Sequence, residues 1–91
     1  MTFYIISYDQ HRDKDYTPVW NALRKSGAKR ILESVWLLEI GLTAAQVLDS
    51  LKQLTRNEDS LAIVELKTES DWAAYRTQPE GVTWLQAHIL P

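Results

Sequence analysis

Hydrophobic and polar positions divide the chain into segments of two different periods. Phe3-Tyr4-Ile5-Ile6-Ser7-Tyr8 is a run of β-branched and aromatic residues without strict alternation. That is the pattern of a central strand covered on both faces, and it stops at Asp9. After the polar segment Gln10 to Asp15, Thr17 and Pro18 predict an N-cap followed by proline at the first helical position, where its missing N–H costs nothing. Tyr16, Val19, Trp20 and Leu23 then recur with the spacing of one helical stripe, and Gly27 is placed to end the helix in a left-handed conformation.

From Ala28 the pattern changes to alternation, with Arg30, Leu32 and Ser34 on one side and Ile31, Glu33 and Val35 on the other, before the continuous run Val35-Trp36-Leu37-Leu38. Two strands broken near Glu33-Ser34 are expected, with a single bent strand as the alternative, since no Asn-Gly or Asp-Gly marks a hairpin. Thr43-Ala44-Ala45-Gln46 has the form of a capping box, with Leu42 and Val47 as a hydrophobic staple. The helix behind it should bury Ala44, Val47, Leu48, Leu51 and Leu54. A polar link, Thr55 to Asp59, leads into a fourth strand, Leu61 to Leu66.

The order βαββαβ with short connections predicts an α+β, ferredoxin-like domain: a four-stranded antiparallel sheet with both helices on one face. Residues 1–91 form one domain on this reading, with a core at 2–67 and a C-terminal extension at 68–91. The second sheet face needs cover, either from the tail or from a second subunit, and Trp72, Tyr75, Trp84, Leu85 and Ile89 are available for that task. Val82, Leu85 and Ile89 have helical spacing, so a short C-terminal helix is expected.

Composition narrows the function classes. There is no cysteine among the 91 residues, which removes disulfides, thiolate zinc sites and cysteine nucleophiles together and suits the cytoplasm. No apolar stretch is long enough to span a membrane, and no leader pattern opens the chain. The net charge of −2 argues against a surface that is basic all round, yet residues 1–30 carry +3 and the remainder −5, so one face could still be basic. A domain of this size buries a modest fraction of its surface and gains from pairing with a copy of itself, so an oligomer is expected.

Asp9 is the carboxylate whose position matters most, because it follows an apolar strand directly. It either caps the next turn through its side-chain oxygens or serves as a ligand to a hard cation. One Asp per chain is too few for a tight Mg²⁺ or Mn²⁺ site, but a two-fold axis nearby would bring two together. Arg12, Lys14, Lys29 and Arg30 are candidates for a phosphate-contacting surface, set against the plainer reading of solubilising charge, since Asp13 and Asp15 interleave with them. His11 could donate a proton to a leaving oxygen. No Ser/His/Asp set and no phosphate-cradling glycine loop is present. Trp20, Trp36, Trp72 and Trp84 read as core and interface anchors.

Ser7-Tyr8-Asp9 ending the first strand, Gly27 ending the first helix, Arg30 in the next strand and Ser34-Val35-Trp36 after it together resemble the small Cas2-type CRISPR-associated adaptation proteins and their VapD-like toxin and SinR-like relatives. The resemblance covers about residues 2–67. It implies a ferredoxin-like homodimer whose strand-end aspartates face each other across a cleft and bind a divalent metal, and in some members cut RNA or DNA. The positions that carry over are Tyr8, Asp9, Arg30 and Trp36. Other members act as a structural bridge that holds DNA beside a CRISPR adaptation integrase, without catalysis. The chain departs from the pattern early in the first helix, where relatives usually carry several arginines and this sequence has Asp15-Tyr16-Thr17-Pro18-Val19-Trp20. Its tail, with Asp71-Trp72 and Trp84-Leu85, is closer to the SinR-like offshoot.

Two functions are therefore expected to compete. The first is a Mg²⁺- or Mn²⁺-dependent endonuclease, a hydrolase of phosphodiester bonds in RNA or DNA, with Asp9 as metal ligand and Tyr8 and Arg30 assisting catalysis. The second is a catalytically silent dimer that binds nucleic acid or a protein partner as a scaffold in CRISPR adaptation and antiviral defence, or in a toxin-like or regulatory role.

Overall fold

The computed structural model describes residues 1–9, 15–55 and 59–89. Four strands and three helices follow one another: β1 (Thr2–Tyr8), α1 (Thr17–Lys25), β2 (Lys29–Leu32), β3 (Val35–Ile40), α2 (Ala44–Lys52), β4 (Leu61–Leu66) and α3 (Pro79–His88). The sheet order is β2-β3-β1-β4 with every neighbouring pair antiparallel, the α+β, ferredoxin-like arrangement. β1 lies in the middle, pairing Phe3 with Glu39 on one side and with Leu66 on the other. The chain breaks between β2 and β3 at a turn through Glu33 and Ser34, so the two-strand alternative holds, and the pairing is irregular between Arg30 and Leu32.

Local chemistry accounts for the helix ends. Gly27 has φ +84°, and the N–H groups of Gly27 and Ala28 donate to the carbonyls of Arg24 and Leu23 at 3.0 and 2.9 Å. This pair of bonds satisfies two orphan carbonyls of α1 and aims the chain into β2. At α2, the Thr43 hydroxyl accepts from the Gln46 N–H at 3.2 Å while the Gln46 side chain accepts from the Thr43 N–H at 2.9 Å, the reciprocal capping box. The start of α1 differs from expectation: Tyr16 is the N-cap residue and Thr17 is already helical. Asp15 supplies the missing oxygen instead, its Oδ1 accepting from the Thr17 N–H at 2.9 Å. Hydrogen bonds from the Thr17 side chain and backbone hold the Asp15 carboxyl below its ordinary value.

The alternation along β1 sends Tyr4, Ile6 and Tyr8 to one face and Phe3, Ile5 and Ser7 to the other. On the first face these residues, with Trp36 and Leu38, pack under Val19 and Leu23 of α1 and Val47 and Leu51 of α2. The second face is covered by the chain's own tail, which settles the choice between tail and second subunit for this part of the sheet. Leu37 packs with Trp84, Leu85 and Ile89, and Phe3, Ile5, Ile31, Leu66 and Trp72 surround them. The Gln78 N–H donates to the Ile31 carbonyl of β2 at 3.0 Å, and within the tail the Trp72 indole donates to the Ile89 carbonyl at 3.1 Å. α3 lies over β2 and β3. Val64, on β4, stays 54% exposed.

Among the described residues, no helix is long and apolar enough to cross a membrane.

Candidate functional site

Tyr8 and Asp9, two of the residues singled out from sequence, lie at the end of β1. Asp9 follows the last residue of the strand and is exposed. Its backbone is held from both sides. The N–H donates to the Ser60 carbonyl at 3.1 Å, extending the β1–β4 ladder by one residue, and the carbonyl accepts from the Tyr16 hydroxyl at 2.9 Å. Continuing the strand alternation by that residue puts Asp9 on the Ser7 side of the sheet, opposite Tyr8.

Tyr8 is 4% exposed, and its hydroxyl is fully engaged. It accepts from the indole N–H of Trp20 at 2.7 Å and of Trp36 at 3.5 Å, and it donates to the Glu33 carbonyl at 3.4 Å. Tyr16 stacks on Tyr8 with ring centroids 5.2 Å apart and on Trp20 at 6.5 Å. Such a network rigidifies the strand end, and it does so by consuming the donors and acceptors a catalytic tyrosine would need.

Arg30 is cross-strand from Trp36. Its guanidinium carbon lies 4.8 Å from the Trp20 ring centroid and 4.6 Å from that of Trp36, so it rests against both indoles. Its Nε is buried without a hydrogen-bond partner. Arg24, one turn after Trp20 on α1, sits 5.0 Å from the same Trp36 centroid. Two arginines and two tryptophans thus form one cation–aromatic cluster that staples α1 to β2 and β3, with each contact contributing about 0.5–2 kcal/mol.

Lys29 and Arg30 are not brought together. Successive strand residues point to opposite faces, so Arg30 turns to the helix side while Lys29 borders a shallow groove with Glu80, Thr83 and His88 of α3. Arg12, Lys14 and His11 lie outside the described residues. His88 is remote from Asp9; its ring stacks on Trp84 at 4.4 Å, and its Nε2 is 3.5 Å from Glu39. Sequence reasoning missed two participants. Tyr16 is visible in the sequence only as part of an apolar stripe, and Arg24 is not singled out there, although the Trp20/Arg24 spacing of four residues is the signal that places them on one side of the helix.

Among the described residues, no three His, Asp or Glu side chains are grouped to hold a metal ion. Mg²⁺ prefers six oxygen ligands in octahedral geometry, and the exposed Asp9 carboxylate is not joined by two further ligand side chains among the described residues, so these residues of one chain do not make such a site.

The sequence profile of the family described as CRISPR associated protein Cas2 matches residues 1–73. The chain belongs to this family. The Cas2 match takes in the whole βαββαβ core, including Tyr8, Asp9, Arg30 and Trp36, and stops before α3. No solved structure matches the chain.

Proposed function

We propose that this Cas2 protein works as a homodimer that binds nucleic acid as a scaffold in CRISPR adaptation, positioning DNA for an adaptation integrase rather than cutting it. The observation that carries the reading is the commitment of two of the three candidate catalytic residues to packing. The Tyr8 hydroxyl serves two indoles and a backbone carbonyl, and the Arg30 guanidinium rests against Trp20 and Trp36. Neither is poised to shuttle a proton to a scissile phosphate or to follow its developing charge, as phosphoryl-transfer catalysis requires. Binding would rest on Lys and Arg contacts to backbone phosphates and would weaken steeply with salt.

A second reading, a Mg²⁺- or Mn²⁺-dependent endonuclease of RNA or DNA, is favoured by one feature. Asp9 is exposed while its backbone is fixed by Ser60 and Tyr16, which suits a ligand shared across a dimer axis. Retention of labelled duplex DNA and single-stranded RNA across a salt titration, with solution mass measured in parallel, tests the scaffold reading. A dimer whose affinity falls linearly on a log–log salt plot is expected. A protein that binds neither polymer at low salt overturns it.

A further inference from the structure

The cation–aromatic cluster reaches the surface at Arg24, and there it meets α3. Arg24 Nη2 lies 3.7 Å from Glu80 Oε1, with the two side chains 53% and 33% exposed. Glu80 is in the first turn of α3 and also borders the groove that Lys29 lines on the other side of the β2 edge. Lys25 sits beside Arg24 in the last turn of α1, and both line a groove with Pro18, Asn21 and Leu54. Arg24 and Lys25 at the end of α1 thus line one groove and Lys29 at the start of β2 another, and one carboxylate of the tail, Glu80, meets Arg24 and borders the Lys29 groove. The carboxylate belongs to a segment outside the Cas2 match, whereas the cations belong to the matched core.

The geometry of Arg24 is that of a receptor. Its guanidinium carbon lies 5.0 Å from the Trp36 ring centroid, and its Nη2 is 3.7 Å from an oxyanion, the loosely held carboxylate of Glu80. A carboxylate and a phosphate diester offer the same pair of anionic oxygens to a guanidinium fork. We propose that Arg24 is a contact for a nucleic-acid backbone phosphate, and that Glu80 of α3 occupies this contact in cis as a carboxylate competitor. This rests on the nucleic-acid-binding reading above. The tail, besides covering the sheet, then sets how tightly the core holds its polymer. An ion pair this exposed and this long is weak, so displacing it costs little, and the tail tunes affinity without abolishing it.

The test measures binding of a fluorescent duplex DNA and of a single-stranded RNA of equal length, from low to moderate salt, by wild type, Glu80→Gln, Arg24→Gln and the double variant. Thermal melts confirm that each variant is folded. Glu80→Gln is expected to bind about two- to fivefold more tightly, the range an exposed ion pair allows. Its log–log salt slope on duplex DNA should steepen by about 0.9, the value for one added phosphate contact, and by about 0.7 on single strands. In the Arg24→Gln background the Glu80→Gln change should have no effect. The polymer on which the gain is larger identifies the source of the phosphate. If wild type binds with salt dependence and Glu80→Gln matches it, the proposal is overturned while the scaffold reading stands. An equal gain with and without Arg24 also overturns it, since that is the signature of overall charge. Absence of binding by every protein removes the scaffold reading and the proposal together.

Discussion

Replacing Gly81 by alanine tests how the tail is seated. Gly81 is the third residue of α3 and is buried against the outer strand β2. A Cβ built on it would lie 2.5 Å from Ile31 Cβ, 2.7 Å from Ile31 Cα and 2.8 Å from Ile31 Cγ1. Two of these atoms are backbone or branch atoms of a paired strand and cannot rotate away. In a helix with free space at this position the change would stabilise the protein by up to about 1 kcal/mol, through the lower entropy of the unfolded chain. Overpacking against a fixed neighbour costs about 1–3 kcal/mol, and if α3 swings outward instead, burial of Trp84, Leu85 and Ile89 is reduced. The net expectation is a loss of about 1–2 kcal/mol, or roughly 4–16 °C in Tm for a domain of this size. Thermal unfolding followed by circular dichroism and tryptophan emission reads it directly. Gly41→Ala is the control, because its Cβ would meet only the Met1 Sδ at 3.5 Å and should leave Tm nearly unchanged. A Gly81→Ala variant more stable than wild type would refute the close seating of α3 on Ile31.

Three further outcomes are expected. Arg30→Lys should cost about 1 kcal/mol in chemical denaturation and alter the near-ultraviolet signal of the tryptophans, because an ammonium cannot reproduce a planar guanidinium resting on two indoles; an unchanged protein would show that the cluster adds nothing. Tyr16→Phe keeps the ring stack but removes the hydroxyl that donates to the Asp9 carbonyl, so it should cost about 1 kcal/mol and speed amide exchange at the strand end; unaltered exchange at Asp9 and Ser60 would count against that tether. The Asp15 carboxyl is held below its ordinary value of 3.8 by Thr17, so its contribution to stability is present above that value and is lost as pH falls through the lowered one. The stability difference between wild type and Asp15→Asn should accordingly shrink in denaturation series taken below pH 3.8, and a difference that widens there would have the wrong sign.

The fold was readable where the deciding interactions are local. The capping box at Thr43, the left-handed Gly27 and the β-branched run of β1 each act within a few residues, so spacing alone reports them. The sequence pattern puts the start of α1 one residue late because Asp15 competes with Thr17 for the same role, and sequence does not rank two oxygens two residues apart. The tail's destination depended on contacts between residues far apart, such as Gly81 on Ile31, for which no period exists. At the candidate site, Tyr8, Asp9 and Arg30 were legible as a set through the resemblance that their short motifs carry in order along the chain. Their separation into engaged and exposed groups was not, since it follows from Trp20 and Trp36 converging on Tyr8 from different elements. Lys29 and Arg30 are neighbours in sequence and are parted by the alternation of β2, a rule the expectation of one basic surface passed over.

The most direct test of the scaffold account is a single-turnover cleavage assay on end-labelled duplex DNA and single-stranded RNA, with excess wild-type or Asp9→Asn protein in Mg²⁺, Mn²⁺ or EDTA, scoring bound and cut fractions from the same samples. The account predicts that the polymer is bound and remains intact in either metal, with Asp9→Asn indistinguishable from wild type. Metal-dependent cutting that disappears in Asp9→Asn would contradict it and establish the nuclease reading in its place.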